Sequence, residues 1–445
     1  MYRLLYRANR ALSSLMYWAR RRFTLAGWAM MGCLVVTAIM GMNVERSVAY
    51  QAFTLLLSLM VLAMAAAFWF RVRFTAERVL PRFGSVGQPF PYRVVVRNES
   101  GQLQSGLWLL EELADPRPNF DEFVAQSKAR DRETKSFRIV FKRAGKPPVQ
   151  LAKIREQPLP NVPPSGVVEV AMELMPLRRG VIRFTGLTLG RPDPLGLFRA
   201  LVTQPLPNMV LILPKRYLLP PIPLPGSMKY QQGGVALASS VGESEEFISL
   251  RDYRPGDPLR HIHWRSWAKT GEPIVKEFQD EFFVRHALIL DTFLDRPNSL
   301  AFEEAVSVAA SFACTVLTQE SLLDLLFVGT EAYCFTAGRG LAHTEQILEI
   351  LAAVQACRTQ PFTALETLVL EHAPVVSGCI AVLLVWDEGR RRLLERLQNL
   401  GVPVLVMLVI EAGGTKPDSA ALGSLVGHVQ ILEAGHVAEG LARMN

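Results

Sequence analysis

Between Gly242 and Lys269 the chain reads GESEEFISLRDYRPGDPLRHIHWRSWAK. Five acids (Glu243, Glu245, Glu246, Asp252, Asp257) stand among five bases (Arg251, Arg254, Arg260, Arg265, Lys269), with His261, His263, Trp264 and Trp267. Guanidinium groups are planar forks that take carboxylate or phosphate two bonds at a time. They also stack on aromatic rings such as those of Tyr253 and Trp264. His261 and His263 would share a face on a strand and could ligate metal, but no third ligand stands at a sensible spacing. Arg254-Pro255-Gly256-Asp257 is a turn: proline fixes φ, glycine permits positive φ, and aspartate bonds back to the backbone. Acids and bases are equal in number, so one reading is a self-satisfied network locking the segment against the sheet that follows. Its competitors are a docking surface for an acidic partner or phosphate, and catalysis. On the docking reading, Arg251, Arg254, Asp257, Arg260 and Trp264 carry partner binding.

Two further carboxylates stand at strand ends. Arg285–Leu290 runs apolar into Asp291, and Gly378–Trp386 into Asp387. In an open parallel sheet ligands bind beyond the carboxyl ends of the strands, and paired carboxylates there suit Mg²⁺, which takes oxygen ligands. Asp291, Asp295 and Asp387 are the candidate ligands. No Gly-x-Ser-x-Gly elbow, P-loop or Gly-x-Gly-x-x-Gly pattern is present, so nucleophilic catalysis on that frame and nucleotide binding are unsupported.

Alternating strands and helices must position these groups. Helical spacing covers Leu300–Glu320, His343–Ala356, Thr363–His372, Gly389–Leu400 (arginines on its outer face) and Ala434–Met444. Strands are expected at Leu322–Val328, with a hairpin partner at Glu331–Thr336, and at Val402–Ile410 and Gly427–Leu432. Near-continuous apolar strands between helices imply a largely parallel sheet covered on both faces. Upstream, Tyr92–Arg97, Ser136–Phe141, Val167–Leu174 and Val181–Leu189 are rich in valine, isoleucine and phenylalanine and bounded by turn residues. They predict an all-β sandwich of immunoglobulin-like size over 84–216, with 115–135 as a charged excursion. Seven prolines lie between Pro205 and Pro225. The stretch 217–226 ending in PPIPLPG is a semi-rigid connector or a ligand for a proline-recognising domain, and 227–445 is the α/β domain.

The N-terminus carries no charge from Phe23 to Val44 or from Ser47 to Phe70. As helices these would span roughly 33–36 Å, enough for a hydrocarbon core of about 30 Å. Transmembrane helices are therefore expected at 23–44 and 47–70, as a tight hairpin. Residues 1–22 hold six arginines and no acid, and 71–82 hold four against Glu77. The positive-inside rule puts both termini in the cytoplasm, with the protein in the inner (plasma) membrane. The net charge is +7; with +6 on residues 1–22 and +3 on 71–82, residues 83–445 carry −2. The basic character belongs to the lipid surface and gives no support to nucleic-acid binding by the folded body; no nucleic-acid partner is expected. Cys33 lies inside the first apolar run; the other four cysteines (Cys314, Cys334, Cys357, Cys379) show no CxxC spacing and read as reduced core residues with no zinc site.

Two ordered motifs resemble the domain-of-unknown-function 58 family. The first is Glu246-Phe247, Leu250-Arg251-Asp252-Tyr253, Pro255-Gly256-Asp257, Arg260-His261-Ile262-His263-Trp264 and Ala268-Lys269. The second is Asp193-Pro194-Leu195-Gly196-Leu197-Phe198. Trp267 and His263 depart from the usual small serine and aspartate. The segment from Asp291 onward also looks like the von Willebrand factor A fold, whose adhesion site uses Asp-x-Ser-x-Ser, a distant threonine and a later aspartate. Here Phe293 and Asp295 fall at the serine positions, and Thr359 or Thr363 would stand for the threonine. The resemblance implies a membrane-anchored protein that accompanies MoxR-type AAA+ ATPases and transglutaminase-like membrane proteins, with no established catalytic residues. The expectation is a non-enzymatic scaffold without cofactor. The alternatives are an Mg-dependent enzyme or metal-gated adhesion switch using Asp291, Asp295 and Asp387, and a purely structural envelope protein.

Overall fold

The structure is a computed structural model describing residues 2–41, 47–115, 151–220, 247–278, 284–294, 299–318, 322–338, 341–414, 416–418 and 427–443, less 256 and 258, with positions 120, 124, 422 and 425. The expected strand Ser136–Phe141, nearly all of the charged excursion, Glu243, Glu245, Glu246 and Asp295 lie outside the described residues. The chain divides into two compact units, Met1–Arg143 with Pro148–Leu213, and Ala144–Pro147 with Pro214–Asn445.

The first unit opens with three helices: α1 (Tyr2–Arg22), α2 (Leu25–Gly41) and α3 (Ser47–Phe68). The basic N-terminal segment is thus helical from Tyr2 to Arg22. α2 and α3 pack side by side. Among the described residues one helix, Val48–Phe68 with 21 residues, is long and apolar enough to cross a membrane, and Leu25–Met40 is a shorter apolar helix. The first apolar run does not begin a helix at Phe23, because Thr24 caps α2 instead: its Oγ1 accepts from the Gly27 amide at 3.1 Å. A threonine oxygen there satisfies one of the free N–H groups of the first turn.

Two sheets follow. One has the order β1 (Phe74–Val79), β3 (Phe90–Asn98), β7 (Val167–Pro176), β5 (Ala152–Ile154); the other runs β2 (Phe83–Ser85), β9 (Arg199–Leu213), β8 (Gly180–Pro192), β4 (Trp108–Leu113), β6 (Gln157–Pro158). Alternate residues of each strand point to one shared core. Tyr92, Val94, Met172 and Leu174 come from the first sheet, and Leu109, Ile182, Phe184, Leu187 and Ile212 from the second. β9 runs through Pro205 and Pro207, which the sequence reading assigned to a proline-rich stretch. The strand tolerates them because β2 pairs it only at Leu211–Leu213 and its register with β8 shifts between Phe184 and Gly186. Prolines are accepted where the ladder is open or bulged.

Arg78, counted above as a membrane-flanking charge, is on β1 and buried. Its guanidinium pairs with Glu111, donates to Leu206 O at 3.0 Å and Asn208 Oδ1 at 2.6 Å, and lies 4.3 Å from the Phe184 ring centroid. Tyr92 OH also donates to Glu111, at 3.0 Å. Burial pushes the Glu111 pKa above its ordinary value despite Arg78, whose hydrogen bond and charge oppose the shift.

The second unit centres on a six-stranded sheet ordered β14 (Ala332–Ala337), β13 (Leu322–Val328), β12 (Arg285–Leu290), β15 (Gly378–Leu383), β16 (Val404–Ile410), β17 (Val429–Glu433). Only β14 is antiparallel. β12 and β15 are buried at every residue, as strands covered on both faces must be. Crossing helices are α5 (Leu300–Thr318), α6 (Leu341–Ala353), α7 (Thr363–His372), α8 (Glu388–Asn399) and α9 (Val437–Ala442), after a short α4 (Trp264–Thr270). α7 and α8 bring Leu365, Leu368, Leu393, Leu394 and Leu397 onto Ile289, Ala381 and Leu383. α5 packs on β12, β13, β15 and β16. Tyr217, at the start of the expected connector, is pinned to α5: its N–H donates to Ser311 Oγ at 2.7 Å and its hydroxyl to Glu304. Cys357 and Cys379 are buried but Cys334 is exposed, so the core reading holds for only part of the set.

Candidate functional site

The signature segment folds as a small module. β10 (Phe247–Asp252) pairs antiparallel with β11 (Ile274–Phe278), and Leu259–His261 forms a 3₁₀ turn before α4. Arg251 grips Asp257 with both terminal nitrogens, at 2.7 and 2.8 Å. Asp257 Oδ2 also accepts from the Arg254 amide at 2.8 Å, and the Asp257 amide returns a bond to Arg254 O at 3.0 Å. The hydrogen bond from Arg251, then that from the Arg254 backbone, hold the Asp257 carboxyl at about 2, below its ordinary 3.8. The His263 amide donates to Ile274 O at 2.8 Å, tying the start of α4 to β11. The His263 ring shares a hydrogen bond with Ser266 Oγ at 2.6 Å. α4 ends at Gly271, whose φ of 79° and bond to Trp267 O make a left-handed cap that a side chain would strain. Ile262 and Val275 are buried between these parts.

Among the described residues, the Arg251–Asp257 pair, the Arg254 turn and the His263–Ile274 bond all lie within residues 247–278 and tie the segment to itself. Of the residues selected from sequence, Arg251 and Asp257 form this internal clamp and Arg254 supplies its backbone, with an exposed side chain. Arg260 sits in the 3₁₀ turn, and its side chain is outside the described residues. Trp264 points outward, 64 % exposed, and stacks on Trp267 with centroids 5.2 Å apart. Leu259, 68 % exposed, joins it; a lone leucine between Pro258 and Arg260 gave the sequence reading no signal. Arg265 and Lys269 are exposed on the same helix. An open aromatic pair with basic neighbours is suited to docking, since Trp and Arg dominate the energetics of protein interfaces.

The second candidate lies at the sheet's switch point. From β12 the chain steps to β13 on one side and to β15 on the other, and Asp291 and Asp387 follow β12 and β15. The structure brings both together around a protein cation. Arg390 Nε and Nη2 bond the two oxygens of Asp291 at 2.6 and 3.1 Å, and Nη1 bonds Asp387. The guanidinium carbon lies 4.6 Å from the Phe362 centroid. Asp291 accepts two further bonds, from Phe293 N at 3.0 Å and Leu384 N at 3.2 Å. Asp387 caps α8 through the Arg390 amide at 2.9 Å, which directs the Arg390 side chain back toward the sheet. Arg390 is therefore buried, unlike Arg391 and Arg392, and corrects the reading that placed the α8 arginines on its outer face. Burial alone would lower the Arg390 pKa, but the charges and hydrogen bonds of Asp291 and Asp387 outweigh it and hold it above the ordinary value.

These residues do not fit a divalent cation. Arg390 already bridges the two carboxylates, and Phe293 presents a ring that packs on Phe362 at 5.6 Å where an oxygen donor is needed. Thr359 and Thr363 are exposed. Asp295 is outside the described residues. Among the described residues no group of three or more His, Cys, Asp or Glu side chains could hold a metal ion.

The second sequence motif has a structural task at the helices. Asp193 gathers the amides of Leu195, Leu197 and Phe198 at 2.6–2.8 Å, and Gly196 turns the loop with φ 68°. The loop's carbonyls then face α2: Thr24 Oγ1 donates to Gly196 O at 2.5 Å and Thr24 N to Leu197 O at 3.2 Å. A Cβ on Gly27 would stand 2.1 Å from Leu197 O, so only glycine permits this approach.

A two-stranded charged module leading into a six-stranded, mainly parallel sheet defines the class of domain. Residues 249–385, from β10 to just past β15, match the family described as "Protein of unknown function DUF58". The chain is also 26 % identical over 198 residues to the "Uncharacterized protein YeaD" of Bacillus subtilis (strain 168), a match covering 44 % of this chain and about half (48 %) of that protein. Among solved structures, a GH20 exo-β-N-acetylglucosaminidase from Vibrio harveyi in complex with N-acetylglucosamine aligns at 9 % identity over 80 % of this chain and 59 % of its own. Its TM-score is 0.14, at which no common fold follows.

Proposed function

We propose that this protein is a membrane-anchored, non-enzymatic scaffold that presents the module of residues 247–278 to a cytoplasmic protein partner. On this reading α2 and α3 cross the inner (plasma) membrane as a hairpin with both chain termini in the cytoplasm. Exposed Arg20, together with Arg71, Arg73 and Arg82, supplies the basic flanks. The two β sheets act as an immunoglobulin-like spacer. The α/β domain is von Willebrand factor A-like, its adhesion site closed by Arg390. A MoxR-type AAA+ ATPase is the first partner to test and a transglutaminase-like membrane protein the second.

The observation that carries the proposal is the exposed Trp264, stacked on the half-buried Trp267, on a module whose own ion pair is satisfied internally. Burying that much aromatic surface against a partner would be favourable, and Arg254, Arg265 and Lys269 would meet acidic groups around it. The test is binding of the full-length protein, in lipid nanodiscs, to a MoxR-type ATPase of the same organism. The scaffold reading expects binding that Trp264→Ala abolishes while the fold is retained. No binding by folded protein, with or without ATP, sinks it.

A further inference from the structure

The helix α1 is amphipathic in the opposite sense from a helix of a water-soluble domain. Leu4, Leu5, Leu12, Leu15 and Met16, with Ala8 between them, recur at three- and four-residue spacing on one face, the spacing that normally turns a stripe toward a core. Here each of these leucines and Met16 is exposed, from 51 % for Leu5 to 72 % for Leu4, and the helix contains no buried residue. It is the polar side that leans on the β domain. Arg21 pairs with Glu112, Tyr17 OH donates to Glu112 at 3.4 Å, and the Tyr6 ring meets Phe120 edge-on at 5.5 Å. A solvent-facing apolar stripe of this length needs a cover. What adjoins it in sequence is the apolar pair α2 and α3, which begins three residues after Arg22.

We infer that α1 lies in the lipid–water interface, its leucine stripe sunk into the bilayer surface and its arginines, apart from the Glu112-paired Arg21, on anionic headgroups. The inference rests on the membrane-anchored reading above. Three features select lipid as the occupant. The stripe is continuous in sequence with the apolar helices. Its charge is wholly basic, with Arg3, Arg7, Arg10, Arg20, Arg21 and Arg22 and no acid, which complements anionic lipid. Trp18 stands at the end of α1 next to α2, 45 % exposed, where an amphipathic ring suits the headgroup level. A basic, amphipathic helix with Leu and Trp on its apolar face is the type that lies flat in a membrane surface. α1 would then sit between bilayer and β domain, fixing the height at which that domain is carried.

The test uses full-length protein reconstituted in phosphatidylcholine vesicles with and without phosphatidylglycerol, both carrying a lipid with a photoactivatable diazirine on its acyl chain. Adducts are mapped by mass spectrometry. Labelling is expected on Leu4, Leu5, Leu12, Leu15 and Met16 as well as on α3, rising with phosphatidylglycerol. The double change Leu12→Glu/Leu15→Glu should lose the α1 adducts and keep those on α3. Adducts on α3 with α1 silent overturn the inference and leave the membrane anchor standing. So do photo-cross-links from the stripe to a second copy of the chain. Vesicles in which neither helix is labelled overturn the anchored reading, and this inference with it.

Discussion

Replacing Arg390 with methionine keeps most of the side chain's length and removes its charge. The loss can be apportioned from the geometry. Asp291 has no exposed surface and Arg390 only 6 %, so truncating the pair leaves a buried, uncompensated carboxylate, which costs about 3–5 kcal/mol. The second arm reaches Asp387, whose side chain is 46 % exposed; solvent screens it, and it adds no more than about 1 kcal/mol. Phe293 N and Leu384 N still donate to Asp291, which holds the total near the lower bound. At tenfold per 1.4 kcal/mol, the local opening constant around β12 and β15 should rise about 10²–10³-fold. Hydrogen-exchange mass spectrometry of the full-length protein in detergent reads this directly. Asp387→Asn, which keeps the cap on α8, should change the same peptides by roughly one kcal/mol or less. Exchange of Arg390→Met within about threefold of wild type would refute the buried bridge. Millimolar Mg²⁺ should leave wild type unaffected; protection by Mg²⁺ that Asp291→Ala removes would restore the metal reading.

The β domain makes a parallel prediction. Arg78 and Glu111 have no exposed side-chain surface, so Arg78→Met should lower stability by about 3–5 kcal/mol in urea unfolding, with Glu111→Gln in the same chain recovering part of it. In the signature module the Asp257 pKa is depressed, so its contribution to folding is complete above pH 3.8 and fades as the pH falls through about 2. Exchange of the Arg254 amide should accelerate across that window, and Asp257→Asn should remove the pH dependence. Gly27→Ala places a methyl carbon against Leu197 O and should release the start of α2 from the 193–198 turn, seen as loss of protection at the Thr24 amide. An unchanged Thr24 amide would mean that the turn does not hold the helix.

Much of the second unit was legible because its strands are buried on both faces and read as unbroken apolar runs. Leu322–Val328 and Thr363–His372 fall at the residues expected. Two elements hid behind composition. In α1 the six arginines drew attention to charge and away from the leucine period. In β9, Pro205 and Pro207 resembled a connector, since an open strand edge and a register shift cannot be seen in one dimension. The site divides the same way. The Arg254–Asp257 turn was readable from its residue types, because turn chemistry is local. Its ion pair with Arg251 and the outward Trp264 depended on how β10 meets β11. Arg390 could not be told from Arg391 or Arg392 by spacing alone. The Asp387 cap, three residues earlier, is what turns that one arginine inward, and it was the only local signal available.

The central claim is that the module of residues 247–278 is a docking surface and not merely a structural element. Binding of a MoxR-type ATPase of the same organism to full-length protein in nanodiscs, wild type against Trp264→Ala, measures it most directly, with exchange of β10 and β11 recorded on both. The account predicts unchanged protection in the module and at least about a 30-fold weaker complex, the effect of losing an interface residue worth 2 kcal/mol or more. Equal affinity for the two proteins, both folded, would contradict it.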